Sequence, residues 1–332
     1  MPVRWTALAL ALALVACGGG QPTARPAASG SGTLVIERGD NLLLIRPDGF
    51  DAGQVTHQAP GTFANNPAFS PDGALLAYSH HLTPNGQDFG GAEIHLIKED
   101  GSDHRMLVPF KQPGERAENP VWSADGKSIY FAHDIPIFDQ AKQYTGDTLT
   151  IEKVDVASGA REVVTKDAIF PAAASTGDLA WVNFTLSDSS FQLVYAPAGG
   201  TPRTLLSDQD FQAVYIPRFS PDGKMLLFAG SGRTDSKVAA LGRSLARALN
   251  PLLPEPALAH GLPWDPWVIG VDGKGFRKVA GIGLDELGMA WSPDGHQIAA
   301  ANLDATYRMN ADGSGFTYLL KTGDPGGIDW RR

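Results

Sequence analysis

Cysteine is almost missing from this chain: Cys17 is the single thiol in 332 residues. No intrachain disulfide and no C-x-x-C metal or redox motif can therefore form. Basic charge is also short, with 27 Lys and Arg against 36 Asp and Glu and a net charge of −9. That balance excludes nucleic acid as the main partner, because phosphate binding needs a basic surface that releases counterions. The H-E-x-x-H metalloprotease motif and the G-x-S-x-G nucleophile elbow are both absent. The apolar run at the amino terminus, Trp5 to Ala16, is too short to span a bilayer. Charged residues make up 19% and hydrophobic residues 43%, which excludes wholesale disorder and a coiled-coil rod and leaves a globular body.

That apolar run follows an early Arg4 and ends in Leu14-Val15-Ala16-Cys17. It has the length of the h-region of an export signal, and its end resembles the bacterial lipobox. The resemblance implies cleavage before Cys17, diacylglycerol on its thiol, and an exported, membrane-anchored lipoprotein facing the periplasm or cell exterior. We read residues 1–16 as the signal peptide and 17–32 as the lipidated cysteine with a flexible tether. The tether stretch, GGGQPTARPAASGSG, is rich in Gly, Ser, Pro and Ala and nearly devoid of large apolar side chains.

Glycine and proline are plentiful, at 38 and 24 residues, and much of both sits in a repeat. NPAFSPDGALLAYSH (66–80), NPVWSADGKSIYFAH (119–133), IPRFSPDGKMLLFAG (216–230) and GMAWSPDGHQIAAAN (288–302) share one pattern. An apolar strand ends in an aromatic, Ser-Pro/Ala-Asp-Gly turns the chain, and a second apolar strand follows. Proline sets φ early in the turn, aspartate bonds the backbone beyond it, and glycine supplies positive φ. D-G turns after each hairpin, as in LIKEDGSDHRMLV (96–108), add a third and fourth strand. Four antiparallel strands in recurring order define a β-propeller blade. A degenerate copy, FPAAASTGDLAWVNF (170–184), fills the widest gap and gives five complete blades. The front segment (33–57) supplies three strands, and GGIDWRR (326–332) supplies the missing one, with Trp330 matching Phe69, Trp122, Phe219 and Trp291. The expectation is an all-β, six-bladed propeller over 33–332, closed by both chain ends, with one short helical insertion in the fifth blade (insertion 231–264).

These hairpins and their D-G outer pairs resemble the propeller repeats of TolB and of the propeller domains that accompany prolyl-oligopeptidase-like peptidases. The resemblance covers residues 33–332 and implies a TolB-like fold. It does not carry over the peptidase activity, because the nucleophile elbow is missing, and propellers host binders and enzymes alike.

Blade geometry puts the short turns on one face and the longer insertions, 81–92, 134–147 and 231–264, on the other, where the sequence locates function. Eight residues beyond the hairpin aspartates stand His80, His133 and Asn302; Asn183 and Arg38 fall near the same level, with His81, Asp134 and Asp304 adjacent. Such a crown is read either as strand ends turning polar in solvent or as a ligand or peptide site. No cofactor is assigned, although a divalent metal on His80, His133 and Asp134 is the one that the residue types admit. His57, His95, His104, His260 and His296 share no repeat position and read as surface or turn residues. In the 231–264 insertion, Val238, Leu241, Leu245 and Leu249 recur at helical spacing, with Arg243 and Arg247 on the other face. The helix reads as a lid on the propeller, a docking face for a partner, or a lipid-surface contact. The leading function is non-catalytic binding or scaffolding of a protein or peptide at the cell envelope. The alternatives are a metal-dependent propeller lyase or hydrolase and a carbohydrate-binding protein.

Overall fold

In the computed structural model the described residues are 32–83, 90–185, 190–233, 263–284, 287–302, 304–321 and 327–331. They are all-β and fall into six blades of four strands. Blade 1 joins β1 (Thr33–Arg38), β2 (Asn41–Ile45) and β3 (Asp51–Gln54) to the last strand of the chain, and blade 2 is β4 (Thr62–Phe69), β5 (Leu76–Leu82), β6 (Gly91–Ile97) and β7 (Arg105–Val108). Blade 3 is β8 (Arg116–Trp122), β9 (Ser128–Phe138), β10 (Tyr144–Asp155) and β11 (Arg161–Lys166). Blade 4 is β12 (Ala168–Ala173), β13 (Leu179–Thr185), β14 (Ser190–Ala196) and β15 (Arg203–Ser207). Blade 5 is β16 (Ala213–Phe219), β17 (Met225–Ser231), β18 (Trp264–Gly270) and β19 (Arg277–Lys278). Blade 6 is β20 (Gly288–Trp291), β21 (Gln297–Ala301), β22 (Thr306–Asn310) and β23 (Thr317–Leu320), and β24 (Ile328–Arg331) pairs antiparallel with β1 to complete blade 1. A parallel bridge between Ala92 and Arg116 links blades 2 and 3.

The four Ser-Pro/Ala-Asp-Gly hairpin turns are small closed networks. In blade 2 the Ser70 hydroxyl donates to Asp72 Oδ1 at 2.7 Å, the Ala74 N–H donates to the same oxygen at 3.0 Å, and the Leu75 N–H donates to Ser70 Oγ at 3.0 Å. The serine and aspartate recur as Ser123 with Asp125, Ser220 with Asp222 and Ser292 with Asp294. The serine hydrogen bond, then the backbone N–H, hold all four carboxyls below the usual range. Gly73 sits at φ 71°, where a side chain is strained. The turn chemistry accounts for every residue of S-P-D-G, so these aspartates need no catalytic role.

Six apolar clusters hold the ring together, and each spans two neighbouring blades. Leu34, Ile36, Ala290, Ala299 and Trp330 join blades 1 and 6, and Val35, Leu42, Phe69, Leu76 and Tyr78 join blades 1 and 2. The repeated aromatics are part of this seam: Trp122 Nε1 donates to the Ala68 carbonyl of the preceding blade at 3.0 Å, and Trp291 Nε1 to that of Arg218 at 3.3 Å. The inner strands carry a second repeated feature that the hairpin pattern contained but did not explain. Asn66, Asn119, Phe170 and Ile216 each precede a proline and each has positive φ, between 41° and 55°. Register shifts at these points mark β-bulges. Asparagine tolerates this conformation, whereas at Phe170 and Ile216 it costs about 1–2 kcal/mol.

One insertion departs from its reading as a loop. Residues 134–147 continue β9 and β10 into a long antiparallel ribbon, whose tip exposes Ile137, Phe138 and Tyr144. The expected helix, with Val238, Leu241, Arg243, Leu245, Arg247 and Leu249, lies outside the described residues, as do Cys17 and most of the tether.

Candidate functional site

The crown residues fall into several networks rather than one ring, and of them His81 and Asp134 are linked through Glu118 and Arg116. Arg38 is exposed and faces Asp51 at 3.7 Å. His81 stacks on Phe63 with ring centroids 4.4 Å apart, and its Nε2 lies 3.0 Å from Asn65 Oδ1. Burial, then the charge of Arg116, push its pKa down to about 4. His133 is buried between two carboxylates, Glu152 at 2.6 Å and Glu115 at 2.8 Å. Arg161 closes that network through Glu152 at 2.8 Å. Asp134 pairs with Arg116. Asn183 accepts the indole N–H of Trp181 at 2.7 Å, and Asn302 caps a turn by accepting the N–H groups of Asp304 and Ala305. His80 is in blade 2 and His133 in blade 3, each with its own neighbours, so the trio of His80, His133 and Asp134 does not converge.

His80 instead converges with residues that the repeat alignment passed over. Strand pairing sets His80 opposite Glu93 and Tyr78 opposite His95. Residues two apart share a face, so all four side chains meet on one side of blade 2. One donor atom from each of His80, Glu93 and His95 lies within 4.8 Å of the other two, the one such trio among the described residues. His95 Nε2 is 2.9 Å from Glu93 Oε2 and its Nδ1 is 2.8 Å from His104 Nε2, which in turn is 2.9 Å from the Tyr78 hydroxyl. His95 is only 7% exposed, which corrects its reading as a surface residue, and His104 is its direct partner. The legible signal was the pair Y-x-H in one strand and E-x-H in the next; it becomes meaningful only with the register.

The second feature is the mouth of the central channel. Inner-strand ends from five blades enclose a cavity of about 280 Å³. Its wall includes Pro67, Phe69, Trp122 and Phe219, and two charged residues, Arg218 and Asp329, lie in it. Asp329 Oδ2 accepts the Phe69 N–H at 2.8 Å and Oδ1 accepts the Trp330 N–H at 2.9 Å. Burial pushes the Asp329 carboxyl up and the Arg218 guanidinium down, and their mutual attraction opposes both shifts. Arg218 donates to the Pro217 carbonyl at 3.1 Å. The bulge at Ile216 shifts strand alternation immediately before Arg218, an effect that no motif search scores. The cavity opens among the Ser-Pro-Asp-Gly turns, on the face opposite the insertions where the sequence located function.

The fold and its channel define a TolB-like six-bladed β-propeller. Among solved structures, the chain is similar to TolB from Acinetobacter baumannii, with 15% identity, a TM-score of 0.64, and coverage of 93% of this chain and 68% of that one. It is also similar to a TolB candidate from Agrobacterium tumefaciens, at 13% identity, TM-score 0.54, and 92% and 99% coverage. A functionally unknown protein from Desulfotomaculum acetoxidans matches at 11% identity, TM-score 0.52, and 90% and 99% coverage. No protein-family model matches the chain, and no curated protein matches it either.

Proposed function

We propose that this chain is an exported lipoprotein, anchored through Cys17, whose propeller is a non-catalytic binding module for a protein partner at the cell envelope. The amino-terminal pattern of Leu14 to Cys17 supports the anchoring. The channel mouth carries the binding reading. Its volume of about 280 Å³ is at the small end of ligand pockets, roughly 300–1,000 Å³, and suits one or two side chains of a peptide better than a cofactor. Phe69, Trp122 and Phe219 offer apolar walls, and the planar guanidinium of Arg218 suits a carboxylate. A peptide segment with an acidic group beside an apolar residue matches that chemistry, with Asp329 available to an N–H or a cation. The fold likeness to TolB is compatible with such a role.

A photoreactive residue at Ala124, which is exposed at the cavity rim, tests the reading in cells. We expect a discrete protein adduct from Ala124 that Arg218→Ala abolishes, and none from the same probe at Tyr144 on the ribbon tip. Adducts from Tyr144 alone, or an Ala124 adduct unaffected by Arg218→Ala, refute the channel as the site. Membrane association that survives Cys17→Ser refutes the anchor.

A further inference from the structure

We propose that His80, Glu93 and His95 form a binding site for a divalent transition metal, zinc by class, on the seam between blades 1 and 2. Two imidazoles and a carboxylate are a recognised zinc donor set that leaves a fourth tetrahedral position for water or an external ligand, and imidazole equally suits the other late first-row ions. The donor atoms, within 4.8 Å of one another, need only a modest rotamer closure to reach the edge of a tetrahedron, about 3.4 Å for bonds of about 2.1 Å.

Further observations favour a cation here over an ordinary polar seam. His80 Nδ1 is buried without a hydrogen-bond partner, a costly state unless something else occupies it. His95 is backed by His104, and His104 by the Tyr78 hydroxyl; such an outer hydrogen-bond chain fixes the tautomer and orientation of a ligating imidazole. Glu93 adds a carboxylate to the two imidazoles, and its negative charge offsets that of the ion. The donors come from adjacent strands paired in fixed register, so the site is held on rigid elements rather than on a loop. His133, with its two carboxylates, differs because Arg161 already supplies the compensating cation there.

The test uses the full chain, purified without a histidine tag, stripped with a chelator and titrated with Co²⁺ and then Zn²⁺. One equivalent of Co²⁺ should give tetrahedral visible absorption bands that Zn²⁺ displaces. Glu93→Gln and His95→Ala should each weaken binding more than ~10-fold, and His104→Ala by roughly 10-fold or more through the outer shell. His296→Ala, at an exposed turn, should leave binding unchanged. X-ray absorption of the metal-loaded wild-type chain gives a variant-independent check, with two imidazoles and oxygen donors expected. Absence of a stoichiometric metal, retention of it by the His80→Ala/His95→Ala double variant, or a first shell lacking two imidazoles overturns the site. None of these results bears on peptide binding at Arg218, which lies at the channel mouth.

Discussion

Trp330 anchors the strand that closes the ring, and its removal can be costed. It is 5% exposed, lies opposite Leu34 in the pairing of β24 with β1, and packs among Leu34, Ile36, Ile45, Ala290 and Ala299. A tryptophan side chain buries roughly 150–250 Å², worth about 4–6 kcal/mol at about 25 cal/mol per Å². Measured Trp→Ala losses in cores are about 3–5 kcal/mol, so we expect about 4 kcal/mol from Trp330→Ala. A typical domain has only about 5–15 kcal/mol of total stability. Urea unfolding followed by circular dichroism should therefore show a large drop in midpoint with little change in slope, because the surface exposed on unfolding is almost the same. Tyr318→Ala, on the outer strand β23 where the residue is 54% exposed, serves as the control and should stay within about 0.5 kcal/mol. A loss below about 1 kcal/mol for Trp330→Ala would refute the argument that the last strand locks the ring.

Two further predictions concern the same framework. A Cβ on Gly327 would stand 2.5 Å from Asn66 Cα and 3.0 Å from its backbone nitrogen, so Gly327→Ala should cost about 1–3 kcal/mol by overpacking; Gly281→Ala, with nothing within 4 Å, should be near neutral in the same urea assay. The hairpin carboxyls of Asp72, Asp125, Asp222 and Asp294 lie below 3.8 in the folded chain, so the unfolded chain takes up protons first as pH falls. Their stabilisation is present above about pH 4 and is lost as pH falls through the folded values. The stability gap between wild type and Asp294→Asn, read as urea midpoints, should accordingly be wider at pH 6 than near pH 3; a gap independent of pH would show that the charge contributes nothing.

The blade plan was legible because local chemistry writes it. Ser70, Pro71, Asp72 and Gly73 satisfy one another within a single turn, so their order in the chain is enough to mark a hairpin, and the copies at 123, 220 and 292 mark the period. Even the closure by Trp330 could be read, since an orphan first strand and three orphan partners have one economical pairing. The candidate sites were legible only in part. His80 stood out through its repeat position, but its partners Glu93 and His95 sit on the neighbouring strand, and only the pairing register decides that they share its face. The same alignment grouped His80 with His133, which the ring separates into different blades with different counter-charges. Arg218 and Asp329 lie 111 positions apart in sequence, and nothing in either local segment announces the other. The sequence by itself determined the turns, the strand period and the number of blades, because those rest on interactions between residues a few positions apart. The tertiary structure alone decided which polar side chains meet, because burial, strand register and the bulges of the inner strands set those distances only once the ring is closed.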